Sequence, residues 1–143
     1  MIRKAAKKDY RRIADIFVAE YSKKPYLEKW NKKQGMKFVK TYARTGNIFV
    51  AVDHNKILGS MILKKKPDNI GFLMIVEEIA VDSSYQGKGI GRKLMEKAEE
   101  ECKYQGCHSI RLLTHNKSGA AKFYQKIGFR KTKDILYFSK KIR

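Results

Sequence analysis

The stretch Val81-Asp82-Ser83-Ser84-Tyr85-Gln86-Gly87-Lys88-Gly89-Ile90-Gly91-Arg92 sets three glycines at alternate positions between an apolar run and a helical pattern. Glycines let a backbone approach a ligand with no side chain in the way. The first turn of the following helix offers unpaired N–H groups and the positive end of its dipole. Lys88 and Arg92 add formal positive charge. The combination suits phosphate. Just upstream, Glu77 and Glu78 stand side by side in an otherwise apolar run. In a regular strand successive side chains point to opposite faces, so only one of the two would face any given cleft. Each carboxylate is either a proton acceptor, acting directly or through ordered water, or a surface or ion-paired acid in a lysine-rich chain. His115, near a strand end, is either a site residue or a structural one; His54 and His108 have weaker claims.

Two nucleotide fingerprints fail letter by letter. The dinucleotide pattern G-x-G-x-x-G ends on Arg92 when started at Gly87 and on Leu94 when started at Gly89. A P-loop requires Gly-Lys followed by Ser or Thr, and Gly87-Lys88 runs into Gly89.

The elements that must position these residues follow from periodicity. Ile2 to Ala6 reads as an opening strand and Asp9 as a helix N-cap. Tyr10, Ile13, Ala14, Phe17 and Tyr21 then recur at helical spacing. Pro25 suits a helix start, and Leu27, Trp30, Met36, Phe38, Val39 and Tyr42 form a second helical region interrupted near Gly35. Asn47–Val52 and Ile57–Leu63 form a hairpin across Asp53-His54-Asn55-Lys56, and Phe72–Val81 a third strand. Ile90, Leu94, Ala98 and Cys102 make one helical stripe closed by Gly106, with a strand from Ser109 to Thr114 beyond it. Strand, glycine loop, helix and strand is the pattern of a right-handed parallel crossover. Ala120, Phe123, Tyr124 and Ile127 mark a short helix ended by Gly128, and Phe129 to Phe138 a closing strand.

Residues 1–143 read as one domain, long enough to bury a core at 43% apolar content. With 33 Lys+Arg against 14 Asp+Glu, the formal charge is +19. Such a surface either simply solvates the chain or attracts nucleic acid, an acidic protein face or an anionic cofactor. Cys102 and Cys107 form neither a zinc pattern nor a disulfide framework, and no metal is expected. No stretch has signal-peptide or membrane-spanning character, so a soluble, cytoplasmic protein without membrane contact is expected.

Gln86-Gly87-Lys88-Gly89-Ile90-Gly91 resembles the Q/R-x-x-G-x-G/A signature of the GNAT superfamily of acyl-CoA-dependent N-acyltransferases. Glu78-Ile79-Ala80-Val81 resembles that family's fourth strand, and Ala120 through Tyr124 to Gly128-Phe129 its second motif, A-x-x-x-Y-x-x-x-G-F. The resemblance implies an α/β fold: a mixed, largely antiparallel sheet flanked by helices, with a splayed parallel strand pair. It implies acetyl-CoA as co-substrate and no metal. Its pyrophosphate would lie on backbone amides of Gln86, Gly87, Lys88, Gly89, Ile90, Gly91 and Arg92, and its pantetheine arm on main-chain groups of Ile79, Ala80 and Val81. Many members carry an asparagine seven residues before the motif tyrosine. That place is Lys117 here and Asn116 is eight before, so Asn116 joins the expected donor site with an offset of one.

By the same resemblance Tyr124 is the general acid. A phenol with a pKa of about 10 is protonated at neutral pH and can donate to a thiolate with a pKa near 8.5. Glu78, then Glu77, are the candidate bases, and a strand N–H near Val81 the oxyanion donor. Deprotonating a lysine amine at pH 7 costs about 4.6 kcal/mol, whereas an α-amine costs about 1–1.4 kcal/mol. The expected activity is direct acetyl transfer to a primary amine, with a protein N-terminal or lysine amine ahead of a small amine. A basic nucleic-acid or ribosome-associated module with residual acyl-CoA binding is the rival. Tyr21 to Tyr42 should shape the acceptor side, where Tyr26, Trp30 and Tyr42 either line a pocket or belong to the core. The lysines at 23, 24, 29, 32, 33, 37 and 40 point to an acidic acceptor such as an acidic peptide, or to nucleic acid, on a monomer or homodimer.

Overall fold

The computed structural model describes residues 1–143, which divide into two compact units, Met1–Leu113 and Thr114–Arg143. The first unit holds a five-stranded sheet in the order β1-β2-β3-β4-β5: β1 Ile2–Lys4, β2 Asn47–Asp53, β3 Lys56–Pro67, β4 Phe72–Val81 and β5 Ile110–Leu112. Its helices are α1 Tyr10–Tyr21, α2 Lys32–Thr45 and α3 Ile90–Tyr104. The first four strands pair antiparallel and β4 pairs parallel with β5, the crossover running through α3. The expected mixed α/β class and the crossover both stand. No helix is long and apolar enough to cross a membrane.

Alternation along the strands sorts the core into two layers. Ile48, Val50, Val52, Ile62 and Ala80 bury against Ile13, Ala14 and Ile16 of α1 and Val39 of α2. The intervening residues Phe49, Met61, Leu63 and Met74 are buried on the other face, where α3 supplies Leu94, Met95 and Ala98. Each such large apolar side chain contributes roughly 1.5–3 kcal/mol over its exposed state. In the β2–β3 hairpin, His54 and Asn55 take positive φ (48° and 63°), the geometry of a two-residue turn matching strand twist.

Four expectations change. Asp9 stands at the N-cap position of α1 as expected, but its side chain makes no capping bond to that helix. It is 4% exposed, accepts from the Ala6 N–H at 2.7 Å and from Arg3 Nη1 at 2.7 Å, and so closes the short turn before the helix. The second helix begins at Lys32 rather than Pro25, because Asn31 and Gln34 form a reciprocal cap: the Gln34 N–H donates to Asn31 Oδ1 at 2.8 Å and the Asn31 N–H to Gln34 Oε1 at 2.9 Å. Gly35 lies inside α2 rather than interrupting it, since a Cβ there would meet Val18 Cγ2 at 2.8 Å; its absence lets α1 and α2 approach. In the second unit, the segment from Phe129 to Phe138 forms no strand. A strand exists only within a ladder, and outside one Ile135, Leu136, Tyr137 and Phe138 stay exposed.

The second unit is built around α4, Ala120–Lys126. Gly128 (φ +100°) ends it: the Gly128 N–H donates to Gln125 O at 3.2 Å and the Phe129 N–H to Tyr124 O at 3.0 Å. These are the two bonds of a Schellman cap, and the accompanying apolar contact is Phe129 against Tyr124, ring centroids 5.8 Å apart. The spacing Tyr-x-x-x-Gly-Phe is therefore a helix stop that turns a phenylalanine back onto the tyrosine.

Gly59 sets how closely β3 passes β4, because a Cβ there would lie 2.9 Å from the Ala80 carbonyl oxygen. Gly59→Ala should lower the unfolding free energy by about 1–3 kcal/mol, read from the urea midpoint, because backbone rather than a flexible side chain must yield.

Candidate active site

The ladder between β3 and β4 slips by one residue: Ile62 lies opposite Glu78 and Leu63 opposite Val76, leaving Glu77 without a partner. Such a bulge breaks the strict alternation of side chains. Both acids consequently face the α1 and α2 side. The Tyr21 hydroxyl of α1 donates to Glu78 Oε1 at 2.6 Å, and the Tyr42 hydroxyl of α2 to Glu77 Oε2 at 3.4 Å. The one-per-face expectation for a regular strand fails here because the strand is not regular.

Both tyrosines belong to an aromatic chain. Phe17 stacks on Phe38 at 4.3 Å and meets Tyr21 and Trp30 at 4.7 Å each; Tyr21 meets Tyr26 at 4.6 Å and Phe38 meets Tyr42 at 5.0 Å. Trp30 Nε1 in turn donates to Glu28 Oε1 at 2.7 Å, and the Glu28 N–H to Tyr21 O at 2.8 Å. Tyr26, Trp30 and Tyr42 thus pack like a core while bordering the acids.

Glu78 remains half-buried, yet loss of hydration pushes its pKa up to about 8. The Tyr21 hydroxyl and the Ile79 N–H, at 3.1 Å, pull in the other direction, and the charges of Glu28 and Glu77 push the same way as burial. Tyr42 is raised from its ordinary value, first by burial and then by Glu77.

The adjoining edge of β4 is open, since β5 pairs only with Met74, Ile75 and Val76. Beyond Val76, main-chain groups of alternate residues point away from β3. The Ile79 N–H meets its neighbour's carboxylate and the Val81 carbonyl accepts from Gln86 Nε2 at 2.8 Å, while the Asp82 N–H turns back to Leu58 O at 2.8 Å. By that alternation the Val81 N–H lies on the same open edge.

The chain then enters the glycine loop. Arg12 of α1 pairs with Asp82 and donates from Nε to Ile57 O at 3.3 Å. Asp82 also accepts from the Ser84 N–H at 2.9 Å, and these bonds, the backbone one first, hold its pKa below the ordinary carboxylate value. Gln86 bridges Val81 O and Glu20 Oε2, so its side chain braces the loop and leaves the anion to the backbone. Gly87 and Gly89 take φ of +77° and +85°, and a Cβ at either would enter open space. Their conformation, and not crowding, calls for glycine. The loop leads into a helix of 15 residues, with the Ile90, Gly91 and Arg92 amides in its first turn. A helix start of this kind offers unpaired amides and the positive end of a dipole to an anion. Lys88 and Lys56 lie over the Tyr85 ring at 5.4 and 5.0 Å.

The first unit thus brings together Glu77, Glu78, Ile79, Ala80, Val81 and the loop from Gln86 to Arg92. Tyr124 and Asn116 belong to the second. Tyr124 is 8% exposed, with the Phe123 ring at 5.2 Å, and Asn116 lies exposed in the turn before α4. His115 Nδ1 accepts from the Lys117 N–H at 3.0 Å, and His108 pairs with Asp68 at 2.7 Å. No group of three or more metal-ligating side chains is present. Sequence reasoning missed Tyr21 as the partner of Glu78, because Tyr21 falls on the apolar stripe of its helix. It also missed Glu28, which carries no motif.

The family model for an acetyltransferase (GNAT) domain matches residues 44–131. Over 122 residues the chain is 30% identical to glucosamine 6-phosphate N-acetyltransferase 1 of Dictyostelium discoideum, covering 82% of this chain and 73% of that protein. It is 32% identical over 97 residues to N-alpha-acetyltransferase 30 of Saccharomyces cerevisiae, covering 63% and 55%. Some curated relatives are matched over less than half of their length, 46% for one from Bacillus subtilis. Among solved structures, a possible acetyltransferase from Clostridium difficile 630 superimposes with a TM-score of 0.87 at 19% identity, over 100% of this chain and 98% of that one.

The environment of Glu78 makes stability depend on pH. Folded, its carboxyl holds a proton up to about pH 8; unfolded, it releases it near 4.5. The folded state therefore binds more protons between those values, and stability should fall as pH rises through that window, levelling off above it. Comparing melting temperature against pH with Glu78→Gln should show that slope vanish in the variant. Tyr21→Phe should carry the upper end of the window to higher pH.

Proposed function

The chain belongs to the GNAT acetyltransferase family, and we propose that it moves the acetyl group of acetyl-CoA to a primary amine by direct attack in a ternary complex. The observation that carries this reading is the β4 bulge. It sets two carboxylates beside an open strand edge that continues into an anion cradle. We infer that the two units act together as one catalytic domain over residues 1–143.

In this reading the cradle amides from Gly87 to Arg92 bind the pyrophosphate, and the open edge from Ile79 to Val81 aligns the pantetheine arm. Ala80 keeps that edge in register through its pairing with Ser60. Glu78, as carboxylate, takes a proton from the acceptor ammonium, directly or through water, with Glu77 as its neighbour. The amine lone pair then forms a bond to the thioester carbonyl carbon. The Val81 N–H donates to the developing oxyanion. As the C–S bond breaks, the thiolate takes the Tyr124 phenolic proton; Glu78, having passed its first proton to solvent, takes the second proton from the new amide nitrogen, and the Tyr124 phenolate regains a proton from solvent. Asn116 would meet the donor from the turn before α4.

A base with a pKa of about 8 matches an α-amine, whose pKa is about 7.7–8.0, far better than a lysine ε-amine at about 10.4. That match supports a peptide or protein N-terminus as acceptor. A small amine is the second reading, favoured by likeness to a protein named for glucosamine 6-phosphate over 82% of this chain. Two free thiols, Cys102 and Cys107, fit a reducing cytoplasm as the place of the reaction.

Tyr124→Phe should lower kcat by about 100-fold and leave the acetyl-CoA dissociation constant in place, measured by thiol release and calorimetry. An unchanged kcat removes Tyr124 from the mechanism. In the parent protein kcat/KM should rise with pH and reach a plateau above about 8, the ionised base being the active form. Glu78→Gln should lower the plateau and flatten the rise.

A further inference from the structure

The two longest helices, α2 and α3, distribute their exposed charge in opposite ways. On α3 a basic side chain finds an acid one turn away: Arg92 faces Glu96 at 3.6 Å, and Lys97 faces Glu101 at 3.3 Å and Glu100 at 3.6 Å. Pairs at this spacing are how an exposed helix ordinarily balances its charge. On α2 the charged residues are Lys32, Lys33, Lys37, Lys40 and Arg44, with no acid anywhere in the helix. All five are exposed. The lysines and arginines that do hold a carboxylate, Arg3, Arg12, Lys23, Arg92 and Lys97, lie elsewhere.

Spacing turns these cations into a ridge. Lys33, Lys37, Lys40 and Arg44 stand at i, i+4, i+7 and i+11, on one face of the helix, and span about 16 Å of its length. The opposite face, with Val39 buried and Met36, Phe38 and Tyr42 partly so, packs on the core. Such a ridge weakens the helix that carries it. Neighbours along it, three or four residues apart, set like charges side by side. Lys32 and Lys33 also occupy the first turn, at the positive end of the helix dipole, where a cation is unfavourable. What holds α2 is its neutral Asn31–Gln34 cap and the close approach to α1 at Gly35. A polyanion laid along the ridge would relieve the repulsion that the fold by itself leaves in place.

We propose that the outer face of α2 binds the phosphate backbone of a duplex nucleic acid. Its cations repeat every 4.5–6 Å or so on a straight, rigid element, and a duplex strand presents one negative charge per roughly 3.4 Å of axis. The formal charge of +19 draws such a partner from a distance. An acidic protein fits less well, because protein interfaces centre on apolar and aromatic side chains and are depleted in lysine, and α2 exposes no large apolar side chain. A single strand fits less well too. Its bases need aromatic faces to stack on, and the rings of α2 turn inward, Phe38 onto Phe17 and Tyr42 onto Phe38. Contacts to phosphates alone carry no sequence information. The ridge lies away from Tyr42 and the acids of β4, so the proposal stands independently of acetyl transfer. RNA and DNA duplexes share the required chemistry.

The test titrates the full chain into labelled duplexes of DNA and RNA of about 20 base pairs, a single strand of the same length and poly-glutamate, by anisotropy between about 50 and 200 mM salt. Two unrelated duplex sequences should bind alike, and more tightly than the single strand or poly-glutamate. The duplex bound more tightly, RNA or DNA, identifies the source. Against DNA, the logarithm of the association constant should fall with the logarithm of salt at a slope of about −3.6, four contacts at roughly 0.9 each. Lys37→Gln with Lys40→Gln should bring that slope to about −1.8. The same pair of changes relieves repulsion, so the melting temperature should hold or rise. Lys93→Gln with Lys103→Gln removes equal charge from exposed positions of α3 and should leave the slope within about 0.5 of the parent's. Equal losses in the two double variants reduce the effect to net charge and overturn the proposal. So do a lower melting temperature in the α2 variant, tighter binding to the single strand or poly-glutamate, and no binding to either duplex at the lowest salt.

Discussion

One extra residue in β4 decides what the face beneath α1 and α2 can do. Had the β3–β4 ladder run without a slip, one of the two acids would point toward α3 and meet the layer of Leu94 and Met95, where an unpaired carboxylate is costly. With the slip, both acids turn to the tyrosines. The slip falls directly after the last β4–β5 pair, Val76 with Leu112. A bulge bends its strand and adds local twist, which draws β4 away from a parallel neighbour. The paired carboxylates and the open edge are therefore two results of the same irregularity.

An open edge has to be fixed from elsewhere, since it lacks a ladder on one side. In the first unit α1 does this. Arg12 ties Asp82 and the Ile57 carbonyl together at the point where the strand becomes loop, and Glu20, two turns later, holds Gln86. These contacts are partly exposed, so each is worth little as an isolated ion pair. Their value is positional: they anchor the chain on both sides of the turn from Ser83 to Tyr85, leaving Gly87 and Gly89 as the points that take left-handed conformations.

How much of this was legible in the sequence divides along physical lines. Features set by local spacing were readable: α1 from its apolar stripe, the β2–β3 hairpin from its turn residues, and the strand, loop, helix and strand around the glycines. Features set by competition among local signals were not. Pro25 offered a helix start, yet Asn31 and Gln34 together satisfy two amides and move the start to Lys32. Gly35 read as a break because glycine weakens a helix by about 1 kcal/mol, a cost outweighed by close packing on Val18. The bulge is a property of two strands in register, and a single strand's alternation of residues cannot announce it. Tyr21 was hidden for a related reason: a tyrosine on an apolar stripe reads as core, and its hydroxyl acquires a role only when the strand below presents a carboxylate.

The choice of tyrosines at that point has a physical logic in a chain so rich in cations. An arginine or lysine beside Glu78 would favour its charged form and draw its pKa below the ordinary value, as the cationic partner Arg3 does for Asp9. A carboxylate so stabilised is a poor proton acceptor near neutrality. A phenol orients the carboxylate at 2.6 Å with a much weaker pull, and burial is left to set a value of about 8. The aromatic chain from Tyr26 through Phe17 to Tyr42 supplies both parts of that arrangement. Its rings remove water from the acids, and its two hydroxyls meet them without adding charge. Placing the lysines on the outside of α2 and only neutral donors within is thus what lets a carboxyl in so basic a protein keep a raised pKa.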